Sequence, residues 1–155
     1  MRPGESAAPV GVQVRRSSEA RDLPLPTRAT AQAAGYDVRS ADEDFHLEPG
    51  EIRAVGTGLF LELPDGMECQ VRPRSGLAAR FGITLPNAPG TIDPDYRGEL
   101  KVLLQNGGRE VVEIRRGERI AQLVFARFET PLLEAVDELS HTSRGAGGLG
   151  STGRE

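Results

Sequence analysis

The sequence predicts an all-β chain folded as a jelly-roll-like distorted β-barrel, on three observations. Apolar residues recur at every second position in short runs; 19 glycines and 11 prolines interrupt those runs; and no window of helical length sustains a 3.6-residue period. Period-two alternation marks a strand with one buried face, and closely spaced turn residues are what an antiparallel barrel or sandwich requires.

The runs can be followed along the chain. Val10, Val12 and Val14 alternate, then Leu59, Leu61 and Leu63, then Met67, Cys69 and Val71. Pro64-Asp65-Gly66, between the last two, reads as a hairpin turn, because proline presets φ and Asp-Gly tolerates left-handed geometry. Ser75 to Arg80 is the one short helical candidate, with Ser75 placed to cap its first turn and Gly82 to end it. Strand patterns resume at Leu100, Val102 and Leu104, at Val112 and Ile114, at Ile120, Leu123 and Phe125, and at Leu133 with Val136. The organisation that follows is a disordered segment over 1–9, a β-barrel domain over 10–139 and a flexible C-terminal arm over 140–155. That arm, SHTSRGAGGLGSTGRE, is too poor in apolar residues to fold alone.

Composition narrows the function. The net charge of −4 argues against a general nucleic-acid binder, so any anionic ligand must be met by a local arginine cluster. A single cysteine, Cys69, rules out an intrachain disulfide and zinc-finger spacing, and its place in an alternating run makes it a buried structural thiol. His46 and His141 have no partner at metal-ligand spacing and read as ordinary surface residues. MRPGESAAPV lacks the apolar stretch of a signal peptide and no segment reaches the length of a membrane span, so the expectation is a soluble, cytoplasmic protein with no membrane partner.

Residues 90–106, GTIDPDYRGELKVLLQN, hold the densest chemistry: Asp93, Asp95 and Tyr96 sit in a proline-punctuated turn ahead of an alternating run. A carboxylate fixed beside an aromatic ring suits holding a sugar and activating water, although an Asp-rich surface turn has the same composition. Four other segments carry polar groups: Ala34-Gly35-Tyr36-Asp37, Arg74-Ser75-Gly76-Leu77-Ala78, Gly117 to Gln122, and Arg144 to Gly153. Arg74-Ser75-Gly76 stands before a helix start, where free amide groups and the helix dipole favour an anion.

In this order and spacing, the five segments resemble the trimeric dUTPase family from about Leu23 to Gly153. The resemblance implies hydrolysis of dUTP to dUMP and pyrophosphate by water attack on the α-phosphorus, with Mg2+ as cofactor, which limits uracil in DNA and supplies dUMP for dTMP synthesis. It assigns Asp93 to holding and deprotonating the water, and Tyr96 to stacking under the deoxyribose. Asn87, Thr91, Ile92 and Lys101 fall to a hairpin that pairs with uracil, and Arg74, Ser75, Gly76 and Gln122 to the phosphates. It gives Asp37 the positioning of the metal through water. Arg144, Leu149, Gly150, Ser151 and Thr152 are assigned to the arm that closes over the nucleotide. Ordering about ten arm residues costs roughly 10–20 kcal/mol of backbone entropy, so closure needs several substrate contacts at once.

The resemblance further implies a homotrimer with shared active sites, dUTP as small-molecule substrate and no nucleic-acid partner. Leu149 departs from the family, which carries an aromatic residue there; about 0.5–1.5 kcal/mol of ring-specific contact with the base is lost. Two alternatives share the scaffold. A dCTP deaminase-like enzyme needs a glutamate where Leu103 stands, and a non-catalytic nucleotide-sensing module has no need of Asp37, Asp93 and the full arm together.

Overall fold

The computed structural model describes residues 10–148. Twelve strands and one helix follow in chain order: β1 (Gln13–Arg16), β2 (Thr27–Arg28), β3 (Tyr36–Arg39), β4 (Phe45–Leu47), β5 (Ile52–Gly56), β6 (Leu59–Glu62), β7 (Met67–Arg72), α1 (Ser75–Phe81), β8 (Ile83–Thr84), β9 (Gly90–Ile92), β10 (Lys101–Asn106), β11 (Val112–Ile114) and β12 (Arg119–Arg127). They form antiparallel sheets in the orders β2-β3-β12-β7-β9, β5-β10-β8, β1-β6 and β11-β4. One apolar core lies between them, drawing Val38, Leu47, Val55, Val102, Ile114 and Leu123 from six different strands. The jelly-roll-like, mostly β architecture expected from the alternation is present.

Alternation maps onto burial as a half-buried strand requires. In β4 and β11 the central residue is exposed between two buried ones. In β10 the buried positions are Val102, Leu104 and Asn106. Asn106 is tolerated there because its amide is fully used: Nδ2 donates to the Leu47 and Glu110 carbonyls at 2.9 and 2.8 Å, and Oδ1 accepts from the Gly108 amide at 2.9 Å. Cys69 is fully buried on β7, as expected of a structural thiol. Burial, with the Glu68 carboxylate nearby, pushes its pKa up to about 12, so no nucleophilic thiolate forms at neutral pH.

Several expectations need correction. Strand β1 starts only at Gln13; Val12 and Val14 pack partly against the core, whereas Val10 is exposed. Pro64-Asp65-Gly66 does turn the chain, the Met67 amide donating to the Pro64 carbonyl at 3.2 Å. The strands it joins, however, pair with different partners, β6 with β1 and β7 with β12 and β9, so it is a crossover between sheets and no hairpin. Alternation reports a buried face but not the neighbouring strand. Leu133 and Val136 form no strand; with Leu132 and Leu139 they are exposed, and among the described residues no strand follows Arg127. Helix α1 is capped by Arg74 in extended conformation without a side-chain hydrogen bond, because Ser75 already lies inside the helix. Gly82 ends it as expected, at φ +70° with its amide on the Ala78 and Leu77 carbonyls.

Candidate active site

Two clefts gather the polar residues singled out by sequence. The first, about 440 Å3, is built where β3, β12 and the β7–α1 junction meet, and is lined by Asp37, Arg72, Arg74, Ser75, Arg119 and Gln122, with Gly35 and Gly76 also on its wall. Asp37 lies on β3. Its two carboxylate oxygens are each taken by a different guanidinium: Arg74 Nε donates to Oδ1 at 3.0 Å and Arg119 Nη1 to Oδ2 at 2.9 Å. Arg74 Nη1 also donates to the Arg119 carbonyl at 3.1 Å, which locks the two arginines together. Three arginines against one aspartate make this cleft cationic within a chain of net charge −4, the local cluster an anionic ligand would need.

Gln122 is opposite Asp37 on β3 and Arg72 on β7. Its Nε2 donates to the Pro73 carbonyl at 3.0 Å. Gly35 permits this placement, since a Cβ there would lie 3.2 Å from Gln122 Cδ and closer still to Oε1. Gln122 and Val124, two apart, line the cleft by ordinary alternation, but Arg119 should then face the opposite way. A β-bulge between Arg119 and Ala121, where β12 gains a residue against β3, turns Arg119 to the same face. Arg119 and Arg72 belong to the cleft without having been singled out from the sequence. Arg119 lay inside a quoted segment, and only the bulge, which period-two reasoning cannot see, reveals its direction.

The second cleft, about 320 Å3, brings together Asn87, Thr91, Ile92, Asp93, Tyr96 and Lys101, with Glu99 and Leu103 on its wall. The residues from Asn87 to Lys101 are not the hairpin expected: β9 pairs with β7 while β10 pairs with β5 and β8, so the connection arches from one sheet to another. Its turn is closed by the Tyr96 amide on the Asp93 carbonyl at 3.2 Å. Asp93 is exposed and its carboxylate forms no ion pair among the described residues, the opposite condition to Asp37. Tyr96 Oη donates to the Glu99 carbonyl at 3.0 Å. Glu99, a further residue the sequence did not single out, accepts from the Gly58 amide at 2.9 Å and pairs with Lys101 at 3.9 Å.

The clefts share no lining residue. Arg144 belongs to neither; its Nε donates to the Gly147 carbonyl at 2.8 Å within its own exposed turn. Leu149, Gly150, Ser151 and Thr152 lie outside the described residues. His46 and His141 are exposed, and among the described residues no three His, Cys, Asp or Glu side chains cluster as a metal cage would need.

Comparison with known proteins follows this geometry. The dUTPase family model matches residues 21–153. A deoxyuridine 5'-triphosphate nucleotidohydrolase from Thermoanaerobacter sp. (strain X514) is 48% identical over 143 residues, covering 92% of this chain and 97% of that protein. The dUTPase of Staphylococcus bacteriophage 80alpha, solved with dUpNHpp, superposes with a TM-score of 0.82 at 30% identity, over 92% of this chain and 98% of the other. A variant dUTPase from phage phi11 of S. aureus, whose structure describes the coordination of a structural Mg(II) ion, superposes with a TM-score of 0.73 at 28% identity, over 84% and 99%.

Proposed function

The chain belongs to the dUTPase family, and from that premise we propose how its two clefts divide the hydrolysis of dUTP to dUMP and pyrophosphate. The observation that carries the division is the convergence of Asn87, Thr91, Ile92, Asp93, Tyr96 and Lys101 on one cleft, apart from the arginines. That cleft takes the nucleoside. Tyr96 supports the deoxyribose, its ring filling space a 2′-hydroxyl would need. Asn87 and backbone groups beside Thr91 and Ile92 pair with uracil, and cytosine would leave them unpaired. Leu103 gives the wall an apolar side chain where a deaminase would need an acid.

Asp93 is the general base. Among the described residues its carboxylate has no ion-pair partner, so its lone pairs can hold a water and accept its proton as the oxygen attacks the α-phosphorus. The cationic cleft takes the phosphates: Arg74, Arg119, Ser75 and Gln122 donate, and Gly76 lets the backbone approach. With the pyrophosphate oxygens so bound, charge developing on the leaving group meets fixed donors.

The reaction is magnesium-dependent, and the residues present fit an ion held mainly by substrate phosphates. Asp37 is the one carboxylate in the phosphate cleft, and each of its oxygens retains a lone pair beyond its arginine bond, enough to accept from a metal-bound water. Once bound there, the ion would supply Lewis-acid polarisation of the substrate phosphates, with Asp37 holding it through water.

Membership of the family assigns the working unit to a homotrimer whose sites are completed between subunits, with residues 140–155 as the closing arm over the 10–139 barrel domain, a reading with which two clefts that share no lining residue are compatible. No helix among the described residues is long and apolar enough to cross a membrane; a cytoplasmic enzyme, acting on the nucleotide pool, is the setting this reading assigns. Turnover of dUTP, UTP, dTTP and dCTP by wild type and Asp93→Asn tests it. The expected outcome is turnover of dUTP alone, with kcat reduced about 10²- to 10⁴-fold in the variant and analogue binding kept. Undiminished turnover by Asp93→Asn sinks the assignment of the base; dUTP binding without pyrophosphate release by wild type makes the chain a sensor.

A further inference from the structure

We propose that Gly98 is a specificity-determining position: by lacking a side chain it seats the Tyr96 ring and so sets the space left for the sugar. The inference rests on the reading of Tyr96 as the platform under the deoxyribose. A Cβ at Gly98 would lie 2.5 Å from Tyr96 Cζ and 2.8 Å from Cε2, with the hydroxyl oxygen closer still. The positive-φ glycines do not include Gly98, so left-handed backbone is not the reason for glycine here. What the position requires is an empty volume against the phenol end of the ring.

The surroundings leave the ring as the part that must yield to a larger residue. On one side, the Tyr96 amide closes the turn on the Asp93 carbonyl at 3.2 Å. On the other, Tyr96 Oη is tied to the Glu99 carbonyl at 3.0 Å, and the Glu99 carboxylate is held by the Gly58 amide at 2.9 Å. The next residue is fixed to the core, the Leu100 amide donating to the Leu59 carbonyl at 2.7 Å and Thr57 Oγ1 to the Leu100 carbonyl at 2.5 Å. Backbone at Gly98 therefore cannot retreat without breaking bonds to buried groups. Tyr96 lines the nucleoside cleft and Gly98 does not, so a residue at 98 acts on the cleft through any displacement of the ring.

The test is a double-mutant cycle between positions 98 and 96, reading kcat and KM for dUTP and the dUTP-over-UTP preference. Gly98→Ala is expected to raise KM for dUTP about tenfold or more while kcat changes less than about threefold, because Asp93 is held by its own turn. The penalty should shrink with Tyr96→Phe, which removes the closest atom, and vanish with Tyr96→Ala, which removes the ring. A loss of folding in Gly98→Ala that Tyr96→Ala rescues supports the same clash. An unchanged KM in Gly98→Ala, an equal penalty in the ring-free background, or a folding defect that Tyr96→Ala does not rescue overturns the proposal. If Tyr96→Ala itself leaves KM and the dUTP preference unchanged, the platform reading has failed, and the two failures are thereby separated.

Discussion

The two clefts are held together by opposite means. Around Asp37 the side chains are pinned by charge, each carboxylate oxygen on its own arginine, and cationic groups outnumber anionic ones three to one. Around Asp93 the backbone does the holding, through a turn, a carbonyl tied to a phenol and strands running into different sheets, while the Asp93 carboxylate has no ion pair among the described residues. Arginine occupies a lone pair on each Asp37 oxygen, whereas no charged partner among the described residues competes with water for those of Asp93. The same side-chain type is thus a strut in one cleft and the base we propose in the other. The difference lies in the neighbours.

Strand β7 joins the two regions, pairing with β12 on the phosphate side and β9 on the nucleoside side, and carries Cys69 between them. Here the largest effect on stability is expected. Because burial raises the folded-state pKa from 9.0 to about 12, the folded protein holds the proton more tightly than the unfolded chain. The neutral thiol's contribution is therefore intact below about pH 9 and is lost as pH rises toward 12, on the order of 4 kcal/mol across that window. Denaturant titrations of wild type and Cys69→Ala between pH 8 and 11 measure it, wild type losing stability faster. If dUMP binding and triphosphate binding disappear at different pH values, the two clefts do not share one scaffold.

Next in size is Arg119→Ala, which removes a charged donor from the phosphate cleft alone. A charge-assisted hydrogen bond is worth about 1.5–3 kcal/mol, so kcat/KM for dUTP should fall roughly 10- to 150-fold while dUMP affinity stays within about threefold. Equal losses for both nucleotides would erase the distinction between a charged and a neutral half. Smallest is Leu149→Phe, expected to lower KM for dUTP by about 2- to 10-fold through added stacking. An unchanged KM means base stacking at that position is irrelevant in this chain.

How much was legible in advance follows the same division. The nucleoside cleft comes from one contiguous stretch, so Asn87, Asp93, Tyr96 and Lys101 can be read as neighbours without knowing any sheet. The phosphate cleft draws on strands far apart in sequence, and Arg119 reaches it only through the bulge in β12. Core positions such as Val102 and Leu104 were visible because burial imposes a period of two. Strand partners were not, which is why Pro64-Asp65-Gly66 and the stretch from Asn87 to Lys101 looked like hairpins. The Leu133 and Val136 run was over-read for a related reason: two spaced apolar residues in an exposed segment mimic the pattern without a sheet to join.

The extra residue in β12 acts as a frameshift within the strand. Straightening the bulge with every residue kept, so that Arg119 to Gln122 alternate strictly, would turn the guanidinium away from the aspartate and leave Arg74 to bear that partnership alone. Excising the one residue between Arg119 and Ala121 would instead set Arg119 two places before Gln122 and keep it on the same face. Engineered graftings of the phosphate cleft onto other sheets would accordingly have to carry either the irregularity or a strand one residue shorter at that point.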